Sequence, residues 1–281
     1  MTKGGAGKRR VTLDPTEETL LIPLYGRAQL TRQGHPLIHD PKAVAMVEAI
    51  DYDFARFDGK ASLVGAVWRT RIHDHWVRRW LDQHPAGTVV EVGAGLNTRF
   101  ERIDNGRLRW FDLDLPAPMA LRRRFFADTD RRTTIAASVA DAGWVEEVAA
   151  TGGPWFFVAE AVLGFLPQVD VRRALSNVAG FPRARASFDT WTSWMAAHQD
   201  EHDVLGDMEA RLRWFCDNVF EVETWGLGLR LLESLTFTDG PAEVLALLPP
   251  ELTEAIPSFV DDPQNTSYRQ NLVEADGPAR G

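Results

Sequence analysis

Short apolar runs alternate along this chain with longer stretches whose apolar residues recur every three to four positions. The runs at 88–92 (TVVEV), 108–111, 133–137 and 155–159 (WFFVA) are compact and bounded by glycine, proline or polar residues, as buried strands are. The segment 183–188 alternates, and 219–225 and 268–273 also read as strands, the last as an antiparallel edge strand. Between the runs, 60–83 places Leu63, Val67, Ile72, Trp76, Trp80 and Leu81 at helical spacing before Pro85 and Gly87 end it. Asp40 and Pro41 open another helix as N-cap and first residue, with Ala43, Val44, Val47 and Ile50 on its apolar face. Further helices are expected from Asp14, after Pro116, at 168–178 and from Asp239, and Leu205, Met208, Leu212 and Phe215 form a helical stripe. Strands alternating with helices predict an α/β fold: a doubly wound, Rossmann-like sheet of seven strands, the last antiparallel. The helices before residue 88 are expected to form a lid (14–87) over a core at 88–275, with a helical insert at about 190–218 and frayed tails at 1–13 and 276–281.

Composition narrows the class. At 281 residues the chain can bury one sizeable core. A net charge of −9 argues against nucleic acid as the main partner, because phosphate contacts need clustered Lys and Arg. Cys216 is the single cysteine, so no intrachain disulfide is possible and a reducing cytoplasm is the expected location. No run of 18 apolar residues is present, and the basic, glycine-rich first ten residues lack the apolar core of a secretory signal. A small-molecule partner is the expectation; the sequence is silent on oligomeric state.

The candidate chemistry begins where the first strand breaks at Gly93-Ala94-Gly95. Two glycines permit a tight turn and leave no Cβ in the way of a ligand. The next strand ends at Asp112, with Asp114 two residues on, about 20 positions beyond the turn, where a carboxylate can grip the hydroxyls of a ribose. Which of the two acids does so stays open. The nicotinamide fingerprint asks for a third glycine or alanine, and Thr98 stands there; the Gly-Lys-Ser/Thr of a P-loop is absent. Without a phosphate cradle the pattern favours S-adenosylmethionine, which carries a ribose but no phosphate. An ordinary turn in a non-binding domain is the alternative.

Three ordered motifs add to this: Val92 to Arg99 (VGAGLNTR), Asp112 to Pro116 (DLDLP) and Glu160 to Leu166 (EAVLGFL). They resemble the leucine carboxyl methyltransferase family, closest to its bacterial branch of tetracenomycin-type polyketide O-methyltransferases, over about 19–273. The resemblance implies an S-adenosylmethionine-dependent O-methyltransferase acting on a carboxyl or acidic hydroxyl of a small natural-product intermediate. It implies that Gly93, Gly95, Asp112 or Asp114, Ser138 and Val139 contact the nucleoside, and that Glu160 contacts the ribose or amino group. It also implies that an arginine of the long helix binds the methionyl carboxylate. Arg71 aligns best with it, Arg69 is its neighbour, and Arg27 is a weaker second cation. Many relatives carry Asp where this chain has Ser138, so Asp141 is an alternative there, or a helix N-cap. Methylation of a protein or peptide C-terminus, and silent cofactor binding, are the alternative functions.

On the acceptor side, Trp191, Trp194, Met195, His198 and His202 fall within twelve residues. Such a set suits a pocket for a flat organic molecule or a core-facing helix. Methyl transfer from a sulfonium needs alignment rather than a metal or protein nucleophile. A carboxylate acceptor needs no base, whereas a phenol gains from one, and His198 is the candidate. His198 and His202 lack a visible third ligand, so no metal is expected. Arg122, Arg123 and Arg124 read as a solvated basic face, and Gly226-Leu227-Gly228 as a loop.

Overall fold

The computed structural model describes residues 9–10 and 13–276. The expected tails thus lie largely outside the described residues; Arg9–Arg10 pair with Ile50–Asp51 as a two-residue strand. The main sheet has seven strands: β1 (Thr88–Val92), β2 (Arg109–Asp114), β3 (Arg132–Ala136), β4 (Trp155–Ala159), β5 (Arg185–Trp191), β6 (Leu229–Leu235) and β7 (Tyr268–Ala275). Their order is β3-β2-β1-β4-β5-β7-β6, parallel except for β7, which runs antiparallel to β5 and β6. The order reverses direction at β1, between β2 and β4, and such a switch point opens a crevice at the carboxyl ends of the strands.

Two strand expectations change. Residues 219–225 form a 3-10 helix, Val219–Trp225, started by Asn218, whose side chain accepts from the Phe220 amide. Its β-branched and aromatic composition suggested a strand, but Phe220 points to solvent and only Val219 and Val222 are buried. The sixth strand is instead β6, a leucine-rich run without strict alternation and with a register shift between Leu231 and Glu233. It occupies the sheet edge, and β7 lies inside it, paired on both sides. The insert after β5 is also less helical than its stripe suggested. It holds one short helix, Ser193–Ala197, and 3-10 turns at Gln199–Glu201 and Leu205–Asp207, and Phe215 is exposed.

Four helices precede β1: α1 (Pro15–Glu18), α2 (Leu21–Arg32), α3 (Pro41–Ala49) and α4 (Ser62–Gln83). A capping box between Asp14 and Glu17 starts α1. Asp40 caps α3 through the Ala43 amide, with Pro41 at its first position. One face of α4 buries Trp76, Val77 and Trp80 against the sheet with Val89, Trp110 and Phe156. On the other sheet face Phe157, Trp144 and Phe181 pack together, the Phe157 and Phe181 rings 5.0 Å apart.

Helix α5 (Arg99–Ile103) follows β1, and α6 (Pro116–Arg122) follows β2. The arginine run at the end of α6 is exposed at Arg123 and Arg124 but not at Arg122. Arg122 is buried, and its Nη1 donates to the carbonyls of Ala94, Gly95 and Asn97 at 3.2, 2.9 and 2.9 Å. Its Nη2 donates to Asp112 Oδ1 at 2.9 Å, and the guanidinium lies over the Phe126 ring. One cation thus gathers three carbonyls of the glycine turn, of which Ala94 also accepts from the Asn97 amide at 2.8 Å.

Phe157→Ala is expected to destabilise the fold by roughly 3–5 kcal/mol, from lost transfer energy plus a cavity, read as a lower urea midpoint at unchanged slope. Arg122→Met keeps most of the volume but removes one of the two cations on Asp112 and the donor to the Gly95 and Asn97 carbonyls; a loss of about 3 kcal/mol in the same assay is expected.

Candidate active site

The site forms where β1, β2 and β4 end side by side, with Val92 in register with Leu113 and Ala159. Beyond Val92, Gly93 and Gly95 take φ of +61° and +42°, the left-handed region that favours glycine. A Cβ at Gly93 would also lie 2.3 Å from Val162 Cγ2. The turn carries its Gly95 amide to Asp114 Oδ2 at 2.6 Å, while Asp114 Oδ1 accepts from the Leu115 amide at 2.7 Å. Each carboxylate oxygen keeps a lone pair for a further donor. Burial pushes the Asp114 carboxyl up to about 6, against the pull of the two amides. Gly93, Gly95 and Asp114 share the lining of a cavity of about 530 Å³, and Ser138 and Val139 beyond β3 line the same cavity.

Asp112 takes no part in that lining. Two residues lower on the strand, it is fully buried, with Arg122 and Arg132 as ion partners and the Trp110 indole as donor. Of the two acids offered by the sequence, only Asp114 reaches the cavity. Asp141 stays outside it, and the following helix, Val145–Ala149, has no side-chain cap.

Glu160, just past β4, lines the cavity and is held by four donors. Oε1 accepts from Arg69 Nε at 3.0 Å and Thr70 Oγ1 at 2.7 Å; Oε2 accepts from Arg99 Nη2 at 2.5 Å and Asn97 Nδ2 at 3.4 Å. Burial disfavours its charge, but Arg69 and Arg99 outweigh it and hold the carboxyl far below the usual range.

The arginine that faces the cavity is Arg69, not Arg71. Ser62, Gly65, Ala66 and Arg69 all line it, which is the i, i+3, i+4, i+7 face of α4. Arg71 lies two residues on, about 200° around the helix, and its nearest carboxylate is Asp74 at 3.6 Å. The motif alignment preferred Arg71; the helical phase was the signal that separates the two. Arg27 also lines the cavity, paired with Asp40 and donating to the Leu96 carbonyl at 2.8 Å.

On the other side the lining turns apolar: Phe165, Trp191, Met195, Phe237, Leu252 and Ile256. Trp194 and His198 are not among the lining residues. Their rings stack on each other, 4.2 Å apart, and His198 Nδ1 sits 2.8 Å from the Trp194 carbonyl. A base at His198 would have no access to a ligand in this cavity. The histidine that lines it is His202, whose Nδ1 accepts from the Val204 and Leu205 amides at 3.2 and 3.1 Å. The neutral ring then carries its proton on Nε2, 3.3 Å from Ser62 Oγ, and that hydroxyl donates onward to Asp203. His202 is thus a donor, and burial lowers its pKa. The sequence reading did not single out Asp189, Tyr268 or Asn97. Tyr268 and Asn97 line the cavity, and Asp189 is fully buried and accepts from Tyr268 at 2.7 Å. Among the described residues no His, Cys, Asp and Glu cluster could hold a metal, and no helix is long and apolar enough to cross a membrane.

Comparison with known proteins gives the family. The leucine carboxyl methyltransferase family model matches residues 21–179. The tetracenomycin polyketide synthesis O-methyltransferase TcmP of Streptomyces glaucescens is 30% identical over 234 residues, 82% of this chain and 86% of that protein. The S-adenosyl-L-methionine-dependent methyltransferase dpfgK of Gibberella zeae is 25% identical over 253 residues, 81% of this chain and 84% of that protein. A crystal structure of a methyltransferase-like protein from Thermobifida fusca, covering 79% of this chain and 86% of that one, superposes with a TM-score of 0.54 at 13% identity and shares the fold. The chain therefore belongs to the leucine carboxyl methyltransferase family and is an S-adenosylmethionine-dependent methyltransferase.

Proposed function

We propose that this enzyme transfers the methyl group to an oxygen, a carboxyl or acidic hydroxyl, of a small, flat, polyketide-like acceptor. One observation carries the reading: a single cavity of about 530 Å³ is lined both by Asp114 and the glycine turn and by a set of apolar and aromatic side chains. At the polar end Asp114, with a free lone pair on each oxygen, is suited to the ribose hydroxyls, and the bare glycine turn leaves room beside it. Ser138 and Val139 suit the adenine edge. The methionyl end is a zwitterion, and Arg69 and Glu160 are already an ion pair at 3.0 Å. Opening that pair to receive a carboxylate on Arg69 and an ammonium on Glu160 exchanges one ion pair for two at no net charge. When bound, the cofactor supplies an electrophilic methyl on a sulfonium. The chain's own part is orientation, worth roughly 7–11 kcal/mol in well-aligned systems, together with exclusion of water. Phe165, Trp191, Phe237 and Ile256 offer faces and edges to a planar acceptor.

Isothermal titration with S-adenosylhomocysteine tests the cofactor half. Absence of binding would sink the assignment. Asp114→Ala removes two charge-assisted acceptors and is expected to weaken binding by about 3 kcal/mol, more than a hundredfold. Because burial raises the Asp114 pKa to about 6, its ionised form, the better acceptor, is about half present at that pH and predominates above it. Wild-type affinity should therefore hold from pH 8 down to near 6.5 and fall below 6, and Asp114→Asn should flatten that dependence. Arg69→Leu is expected to weaken binding roughly ten- to a hundredfold, and Arg71→Leu hardly at all. The reverse order would place the carboxylate contact at Arg71.

A further inference from the structure

We propose that Asp189 is a positioning residue for the cofactor: it holds the amide of Ala161 and so fixes the strained turn that presents Glu160 to the methionyl ammonium. This rests on the assignment of Glu160 to that ammonium and deepens it. Asp189 is not among the residues that line the cavity, so it acts through those that do.

Among the described residues only Ala161 and Arg183 combine a side chain with a positive φ, at +56° and +59°. Arg183 is exposed ahead of β5, whereas Ala161 lines the cavity directly after Glu160. The left-handed region costs an alanine what it does not cost a glycine, and a non-glycine residue stays there only when its surroundings hold it. The strain therefore sits beside the residue on which four donors converge: Arg69, Thr70, Asn97 and Arg99 all reach the Glu160 carboxylate.

The sheet register supplies the holder. Ala159, the last residue of β4, pairs with Phe188 of β5. There β4 ends while β5 continues, so Asp189 stands beside the turn. It is fully buried, and its Oδ2 accepts from the Ala161 amide at 2.7 Å. The same oxygen accepts from the Tyr268 hydroxyl at 2.7 Å, which fixes the carboxylate from the β7 side. If Ala161 relaxed to negative φ, the peptide plane between Glu160 and Ala161 would rotate. The amide would leave Asp189, and Glu160 would leave the point where its donors meet. Loss of Asp189 thus acts on the amino-acid end of the cofactor, while Asp114 and the turn after β1 still serve the nucleoside. A second route would run through charge, because Arg69 Nε lies 3.9 Å from the same Oδ2. Asparagine separates the two: it keeps the accepting oxygen and drops the charge.

Isothermal titration of the full chain with two nucleosides is the test. S-Adenosylhomocysteine carries the amino-acid end, and methylthioadenosine has the same nucleoside without it. Asp189→Ala is expected to lose roughly tenfold or more in S-adenosylhomocysteine affinity and to keep methylthioadenosine affinity within about twofold. Asp189→Asn is expected to stay within about threefold of wild type for both. Adding Ala161→Gly to Asp189→Ala removes the cost of the positive φ and is expected to regain roughly threefold or more of the lost affinity. Equal losses in Asp189→Asn and Asp189→Ala would move the role to the charge beside Arg69 and overturn the proposal. So would equal losses for the two nucleosides, or a double variant that binds no better than Asp189→Ala. If Asp189→Ala does not fold, Ala161→Val decides. A β-branched side chain at this φ should produce the same selective loss with Asp189 intact, and unchanged S-adenosylhomocysteine affinity would overturn the proposal. Absence of S-adenosylhomocysteine binding by wild type would instead strike the cofactor assignment, and equal wild-type affinity for the two nucleosides the assignment of Glu160.

Discussion

At the junction of the N-terminal helices and the sheet, one guanidinium holds three carboxylates. Arg99 is fully buried; its Nε donates to Asp74 of α4 at 2.8 Å, its Nη1 to Glu91 of β1, and its Nη2 to Glu160 beyond β4 at 2.5 Å. Around it, Arg102 also pairs with Asp74, and Arg27 and Thr98 share Asp40 at the start of α3. Burying so many charges is costly, and it is tolerated only when each finds its partners in good geometry. The consequence is cooperativity. Helices before the sheet, the first strand and the loop after the fourth strand must dock together, because omitting any one leaves a charge in the interior without its counterion.

That constraint prepares the site. Glu160 is oriented from behind by Arg99 and from the front by Arg69, so one donor can leave while the other keeps the carboxylate in place. The glycine turn is held in the same way, through its carbonyls by Arg122 and through its Gly95 amide by Asp114. The turn's own Asn97–Ala94 backbone hydrogen bond is thereby supplemented by long side chains from other elements. Rigidity at the polar end suits a cofactor that must be placed within a fraction of an ångström for in-line transfer.

The two ends of the cavity are built differently. The polar end draws on strand termini, which are fixed by the sheet. The apolar end draws on the irregular segment after β5, on Phe237 after β6, and on Leu252 and Ile256 of the helix Pro250–Phe259. Connecting segments accept substitution more readily than strand ends. A fold of this kind can keep one cofactor and change acceptors, and Tyr268, on a strand that faces the variable half, lies where the two meet.

By itself the sequence determined what depends on neighbours in the chain. Strand-then-glycine, the acidic residue about 20 positions on, the Asp40-Pro41 helix start and the order of strands and helices are all local signals, and the Asp114–Gly95 contact follows from them. It also left choices that only packing could make. Asp112 and Asp114 share a strand and differ in whether Arg122 covers them. Arg69 and Arg71 share a helix and differ in angular phase. Arg122 sits in a basic run that reads as solvent-facing until α6 folds onto the carbonyls of the turn. Tyr268 and Asp189 are 79 positions apart and meet because β7 inserts antiparallel beside β5. Local pattern specifies what a backbone segment can become; which side chain is buried, paired or free is decided by segments distant in sequence, through desolvation and hydrogen-bond satisfaction that exist only once the chain has closed on itself.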